Sequence, residues 1–175
     1  DVMPFYDNGV WNIFYLHDSP PKPGFHPWYR FTTTNFYDFE DKSEVIPVIH
    51  DTSNQELALG TGSVIKKDNI YYAFYTAHNS NLYPKETIRL SISNDNMQTW
   101  EKQTNFEIRP DDSKYNFDQN DFRDPHVVYV SEKEKYYMLF TTRHLGRGAI
   151  GYLTSTDLLT WEKEGNGIFF LNNND

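Results

Sequence analysis

Thr33-Thr34-Asn35-Phe36-Tyr37-Asp38-Phe39-Glu40, Ser93-Asn94-Asp95-Asn96-Met97-Gln98-Thr99-Trp100-Glu101-Lys102 and Thr154-Ser155-Thr156-Asp157-Leu158-Leu159-Thr160-Trp161-Glu162-Lys163 are three copies of one phrase. Their closing aromatics fall at 39, 100 and 161, which is 61 residues apart both times. A second phrase runs through the same intervals. Asp7-Asn8-Gly9 precedes Val10 to Tyr15, Lys67-Asp68-Asn69 precedes Ile70 to Tyr75, and Glu132-Lys133-Glu134 precedes Lys135 to Phe140. Each is a polar turn leading into an aromatic-rich strand, the signature of a hairpin.

The middle unit shows the pattern in full. Strands are expected over 61–66, 70–77, 87–93 and 99–103. Four antiparallel strands in a repeat of about 40–60 residues make a propeller blade. The Ser-x-Asp-x-x-x-x-Trp turn fits that unit physically. Its Asp or Asn bonds backbone amides as the chain reverses, and the Trp covers the apolar gap between neighbouring blades. No stretch sustains the i, i+3, i+4, i+7 apolar spacing of a capped helix.

Composition agrees. Thirteen Tyr, 13 Phe and four Trp in 175 residues suit pleated surfaces. The fold class read from this is all-β, with about three four-stranded antiparallel blades over roughly 1–50, 51–115 and 116–175. Propellers close with roughly four to eight blades, so this ring is incomplete. The chain opens on Asp1 rather than Met, and its last residues, 167–171 followed by 172–175, read as a strand entering a loop. The expectation is a fragment of a larger protein whose start lies upstream, so the compartment stays open. Two uncovered blade faces predict self-association of the isolated chain.

Charge and cysteine content exclude several partners. A net charge of −9 opposes a nucleic-acid or anionic-membrane surface. No run approaches the roughly 18 apolar residues of a membrane span. The absence of cysteine excludes disulfides and thiolate metal sites. The six His show no metal-ligand spacing, and the reading calls for no cofactor. Gly146-Arg147-Gly148-Ala149-Ile150-Gly151 matches a phosphate-binding glycine pattern. A strand follows it, however, and not the helix whose N-terminus would hold a phosphate.

In a propeller the innermost strand of each blade lines the central channel, and polar residues opening such strands are candidate site residues. Asp1 opens Asp1-Val2-Met3-Pro4-Phe5-Tyr6 in the first unit. Asp124 lies in Asp121-Phe122-Arg123-Asp124-Pro125-His126-Val127-Val128-Tyr129 in the third. Both precede an apolar run and a turn by a similar offset, and an Asp at a matching position in two blades would point into the same channel. Two facing carboxylates suit glycoside hydrolysis, with its oxocarbenium-like transition state.

These residues resemble the five-bladed enzymes of glycoside hydrolase family 32, the β-fructosidases. The likeness rests on Phe14-Tyr15, on His26-Pro27-Trp28-Tyr29-Arg30-Phe31, on Gly60-Thr61-Gly62-Ser63 and on Phe122-Arg123-Asp124-Pro125. The resemblance implies a carbohydrate partner containing fructose and a retaining mechanism. It implies that Asp1 is the nucleophile and that Asp124 stabilises the transition state without reacting. Arg123 would hold the carboxylates ionised and anchor a hydroxyl. Trp28, offering an apolar face, and the Gly60-Thr61 corner would shape the sugar pocket, and His26 would flank it.

The chain also departs from the family. Its first motif, usually Asn-Asp-Pro-Asn-Gly, is here Asp1-Val2-Met3-Pro4, and the usual Gln after Phe-Tyr is Leu16. The family's acid/base Glu, in Glu-Cys-Pro, is expected about fifty residues after Asp124, where the chain ends. Glu162 and Glu164 sit in a blade turn and are not its equivalents. The 175 residues alone are therefore expected to be inactive. Two alternatives stand beside this reading. One is a family 43-like arabinosidase or xylosidase, in which the Asp of blade one activates water. The other is a non-catalytic carbohydrate-binding propeller.

Overall fold

The computed structural model describes residues 1–18 and 24–171, which form three four-stranded antiparallel sheets. The first holds β1 (Val2–Asp7), β2 (Val10–Leu16), β3 (Trp28–Thr33) and β4 (Glu40–Ile46). The second holds β5 (Ala58–Lys67), β6 (Ile70–His78), β7 (Glu86–Ser93) and β8 (Glu101–Lys102). The third holds β9 (Phe122–Val130), β10 (Lys135–His144), β11 (Arg147–Ser155) and β12 (Ile168–Leu171). In each sheet the strands lie in chain order. Among the described residues helix is confined to two single turns, Gln55–Leu57 and Ser131–Lys133. The expected terminal strand is β12, and the loop expected over 172–175 lies outside the described residues.

The sheets pack face to face as successive blades, and β6 shows why. Its alternate side chains feed two different seams, as the period of two of a strand requires. Tyr71, Ala73 and Tyr75 pack with Met3, Phe14, Trp28 and Ile46 of the first blade. Tyr72 and Phe74 pack with Phe122, Met138, Phe140 and Trp161 of the third. A strand buried on both faces reads as a continuous apolar run, and Tyr71 to Tyr75 does.

The repeated turn does what its sequence implies. Asp95 Oδ1 accepts the amides of Gln98 at 3.1 Å and Thr99 at 2.9 Å. Asp157 Oδ1 accepts those of Leu159 and Thr160, and Asn35 Oδ1 those of Tyr37 and Asp38. The bonds from Thr99 and Ser93 hold the Asp95 carboxyl down to about 2. Beyond the turn, Trp161 meets Phe74 of the second blade edge-on at 5.5 Å, and Trp100 meets Phe14 of the first at 5.9 Å. Each closing Trp therefore seals the seam with the preceding blade. Phe39, the aromatic of the first copy, packs on Phe31 of its own blade and stays half exposed.

The Gly146–Gly151 stretch carries the β10–β11 hairpin, with Leu145 and Gly146 in left-handed conformation at the turn. Strand follows it, as the sequence implied.

Candidate active site

The three innermost strands, β1, β5 and β9, place Asp1, Thr61 and Asp124 at one level. Each residue lies six positions before the end of its strand, which falls at Asp7, Lys67 and Val130 respectively. The strands are stitched side by side. The Val127 amide donates to Ser63 Oγ at 2.9 Å, and the Gly62 amide points at Met3 Sδ at 3.2 Å.

Two β-bulges shape this end of the channel. On β5 the pairing with β6 slips between Leu59 and Gly62, so Gly60 and Thr61 together face Thr76. On β9 the pairing with β10 slips between Leu139 and Thr141, so Asp124 and Pro125 together face Phe140. A bulge bends its strand and re-aims a side chain. Asp124 accordingly has φ +60°, a left-handed conformation uncommon for a non-glycine residue and frequent at functional sites. Pro125, which has no N–H, leaves no donor orphaned there.

Hydrogen bonds join the two bulges. Thr61 Oγ1 donates to Asp1 Oδ2 at 2.8 Å. Thr76 Oγ1 donates to the Thr61 carbonyl at 3.1 Å and accepts the Asp124 amide at 2.8 Å. Asp1 and Asp124 are thus brought to the two ends of one connected network spanning three blades. Asp124 also opens onto a depression of about 420 Å³, whose other lining residues include His126, Phe140 and Phe169. A larger cavity, about 680 Å³, is elsewhere. It lies at the far end of the seam between blades one and two, beside Asp7 and Arg30, and contains neither candidate carboxylate.

Arg123 acts differently from the expectation drawn from the resemblance. Its Nη1 binds Asp121 and, at 3.3 Å, Glu86, and only its Nε approaches Asp124, at 3.7 Å. Burial pushes the Asp124 carboxyl above the ordinary carboxylate value. The Arg123 charge opposes that shift without cancelling it, and the nearby Glu86 charge adds to it. Arg123 does hold Asp121 low, with help from Arg143.

Trp28 requires a correction. It is 0% exposed, wedged against Phe14 and Tyr75, with its Nε1 donating to the Gly60 carbonyl at 2.9 Å. It offers no face to a sugar and supports the Gly60-Thr61 corner from behind. The cause is the seam, because β3 turns Trp28 and Arg30 towards the second blade. His26 sits at the Asp1 end of the first blade with φ +53° and Nε2 3.9 Å from Asp18. The neighbouring Phe25 carbonyl accepts the Leu59 amide at 2.9 Å, which ties this loop to β5.

Glu162 and Glu164 lie away from the channel. Glu162 bridges Thr154 through its backbone, and Glu164 binds Lys135 at 2.7 Å.

Three contributors escaped the sequence reading. Glu86 opens β7 and is buried. It accepts the Phe122 amide at 3.0 Å and faces His78 at 3.7 Å. Burial pushes its carboxyl up, but His78, the Phe122 amide and Arg123 together hold it below the usual value. Asp121 anchors both Arg123 and Arg143. Thr76 links the bulges. The rule that found Asp124, a charge opening an apolar strand, also finds Glu86 when applied beyond the innermost strands. No sequence signal distinguishes Thr76 from any other strand threonine.

Comparison with known proteins adds to this geometry. Residues 3–174 match the glycosyl hydrolases family 32 N-terminal domain. A β-fructofuranosidase from Bombyx mori, solved with sucrose, is 21% identical with a TM-score of 0.74, over 97% of this chain and 34% of its own. The sucrose-6-phosphate hydrolase of Lactobacillus gasseri is 19% identical with a TM-score of 0.77, over 99% of this chain and 36% of its own. Fructan 1-exohydrolase IIa of Cichorium intybus is 18% identical with a TM-score of 0.76, over 98% and 32%. A search of curated proteins returned no match. The chain spans about a third of the length of these solved relatives. Because residues 3–174, nearly the whole of this chain, match the family's N-terminal domain, the chain belongs to glycosyl hydrolase family 32 and forms three blades of its propeller.

Proposed function

We propose that the protein containing this chain hydrolyses fructose-containing saccharides, with sucrose, its 6-phosphate or fructans as the substrate class, by a retaining mechanism. The observation that carries the reading is the joined placement of Asp1 and Asp124 at one end of the channel. In the first step an Asp1 oxygen bonds the anomeric carbon of the fructosyl unit as the bond to the leaving oxygen breaks. The acid that protonates that oxygen lies outside these residues. Water then attacks the same carbon, its proton passing to the group that protonated the leaving oxygen, and the bond to Asp1 breaks.

Asp124 has a different part. It is turned by its bulge towards the site and is partly buried, and its charge lies close to the developing positive charge on the sugar. Its oxygens accept sugar hydroxyls, bonds that strengthen in the transition state. Thr61 holds one Asp1 oxygen, which leaves the other free to attack.

The test uses the complete protein with sucrose, sucrose 6-phosphate, inulin and levan. Release of fructose, together with a fructosyl adduct on Asp1 trapped by rapid acid quench and found by mass spectrometry, is the expected result. Release of arabinose or xylose from their glycosides instead, or an adduct that survives Asp1→Asn, overturns it.

A further inference from the structure

We infer that Thr76, a residue that does not line the channel, is a positioning residue for both candidate carboxylates. The inference rests on the proposed fructosidase reading and adds to it a second-strand residue through which the two bulges are held together.

Thr76 lies on β6, the second strand of its blade, and is 3% exposed. A hydroxyl offers one proton and two lone pairs, and both kinds of capacity are used here. The proton goes to the Thr61 carbonyl at 3.1 Å, and a lone pair takes the Asp124 amide at 2.8 Å. Both partners sit in bulges, where the sheet ladder does not serve them. One side chain therefore does for two strands what ladder bonds do elsewhere.

The consequence for the carboxylates is direct. Fixing the Thr61 backbone fixes its hydroxyl against Asp1, and fixing the Asp124 amide fixes the left-handed turn that aims its side chain. The approach is close. A Cβ on Gly60 would lie 3.0 Å from Thr76 Cβ, so a larger residue there would crowd Thr76 by a few tenths of an ångström. Thr76→Val keeps the volume and deletes the hydroxyl, which takes this partner from a partly buried N–H and a partly buried C=O.

The experiment measures kcat, KM and thermal midpoint for sucrose hydrolysis by the complete protein, Thr76→Val and Thr76→Ser. Small misplacements of reacting groups cost about 100-fold in rate. Thr76→Val is expected to lose about 10- to 100-fold in kcat with KM changed less than about threefold, and Thr76→Ser to recover most of kcat. If Thr76→Val does not fold, Thr76→Cys, a weak donor of similar size, takes its place with the same expectation. A Val or Cys variant with a lowered midpoint but unchanged kcat overturns the positioning role, as does a Ser variant no better than Val. Absence of fructoside turnover in the unsubstituted protein overturns the fructosidase reading and this role together. Turnover that Thr76→Val leaves intact overturns this role alone.

Discussion

Glu86 pins the strand that carries Asp124 to the neighbouring blade: its Oε2 accepts the Phe122 amide at 3.0 Å, two residues before Asp124. The same oxygen lies 3.3 Å from Arg123 Nη1. A buried carboxylate held by an amide, a guanidinium and His78 is worth more than an exposed pair, because its partners lose their bonds in a dry setting.

Glu86→Gln is therefore expected to lower stability by about 1–3 kcal/mol at neutral pH, read from urea unfolding. The pH dependence follows from the lowered carboxyl. The contribution is complete above its ordinary value of 4.5 and is lost as pH falls through the lower folded value. The difference between the two proteins should shrink as pH falls below that range. A difference that stays constant down to pH 3 would contradict the assignment of the effect to the Glu86 charge.

Trp161 tests the seam. It is 1% exposed, meets Phe74 of the adjacent blade, and donates Nε1 to the Leu158 carbonyl at 3.2 Å. Its carbonyl also accepts Tyr115 Oη at 3.0 Å, which anchors the long segment between blades two and three. Trp161→Ala is expected to cost about 3–5 kcal/mol by denaturant unfolding. Trp161→Phe, which keeps a ring in the seam, should cost less than half as much. Equal losses in the two variants would show that the indole N–H, not seam packing, dominates.

How far the sequence discloses the site follows the same physics. The blades are legible because a 61-residue spacing repeats both the turn chemistry and its closing aromatic, and those depend on local residue type. Asp1 and Asp124 are legible as candidates because each is a charge standing where an apolar strand opens. Trp28 misleads for a related reason. An aromatic beside site residues reads equally as sugar platform or seam filling, and only the facing of β3 decides between them. Thr76 and the bulges are illegible because they depend on register between strands, which the pattern of side chains does not specify to one residue. The weak grip of Arg123 on Asp124 is illegible too, since it depends on Asp121 and Glu86 competing for one guanidinium.

Gly62 tests the β5 bulge. A Cβ there would fall 1.9 Å from the Phe74 carbonyl oxygen and 2.7 Å from Tyr75 Cα. Backbone cannot yield as a side chain can, so Gly62→Ala must push β5 off β6. A loss of about 1–3 kcal/mol is expected, with kcat falling further than stability explains, because Thr61 is the adjacent residue. Gly148→Ala, with nothing within 4 Å of its added Cβ and, like Gly62, no left-handed backbone, is the control for replacing a strand glycine without a clash. A Gly62→Ala protein with wild-type midpoint and turnover would rule out the close approach.

Asp124→Asn separates activity from stability. In the proposed role the carboxylate charge faces a cationic transition state, so the amide should lower kcat by at least about 100-fold. Stability should move the other way. The Asp124 carboxyl is raised in the folded protein, so the fold is favoured when it is protonated and loses that contribution as pH rises through the raised value. At neutral pH the charge therefore works against the fold, and Asn removes it. Asn also tolerates the φ of +60° that residue 124 adopts. With a side chain 40% exposed, the gain is expected to be below about 1 kcal/mol. It should vanish below about pH 4, where the aspartic acid is itself neutral. Thermal unfolding of both proteins across pH 3–8, beside their sucrose kinetics, measures both effects. A variant that is clearly less stable at pH 7 and still turns over sucrose would remove Asp124 from the site.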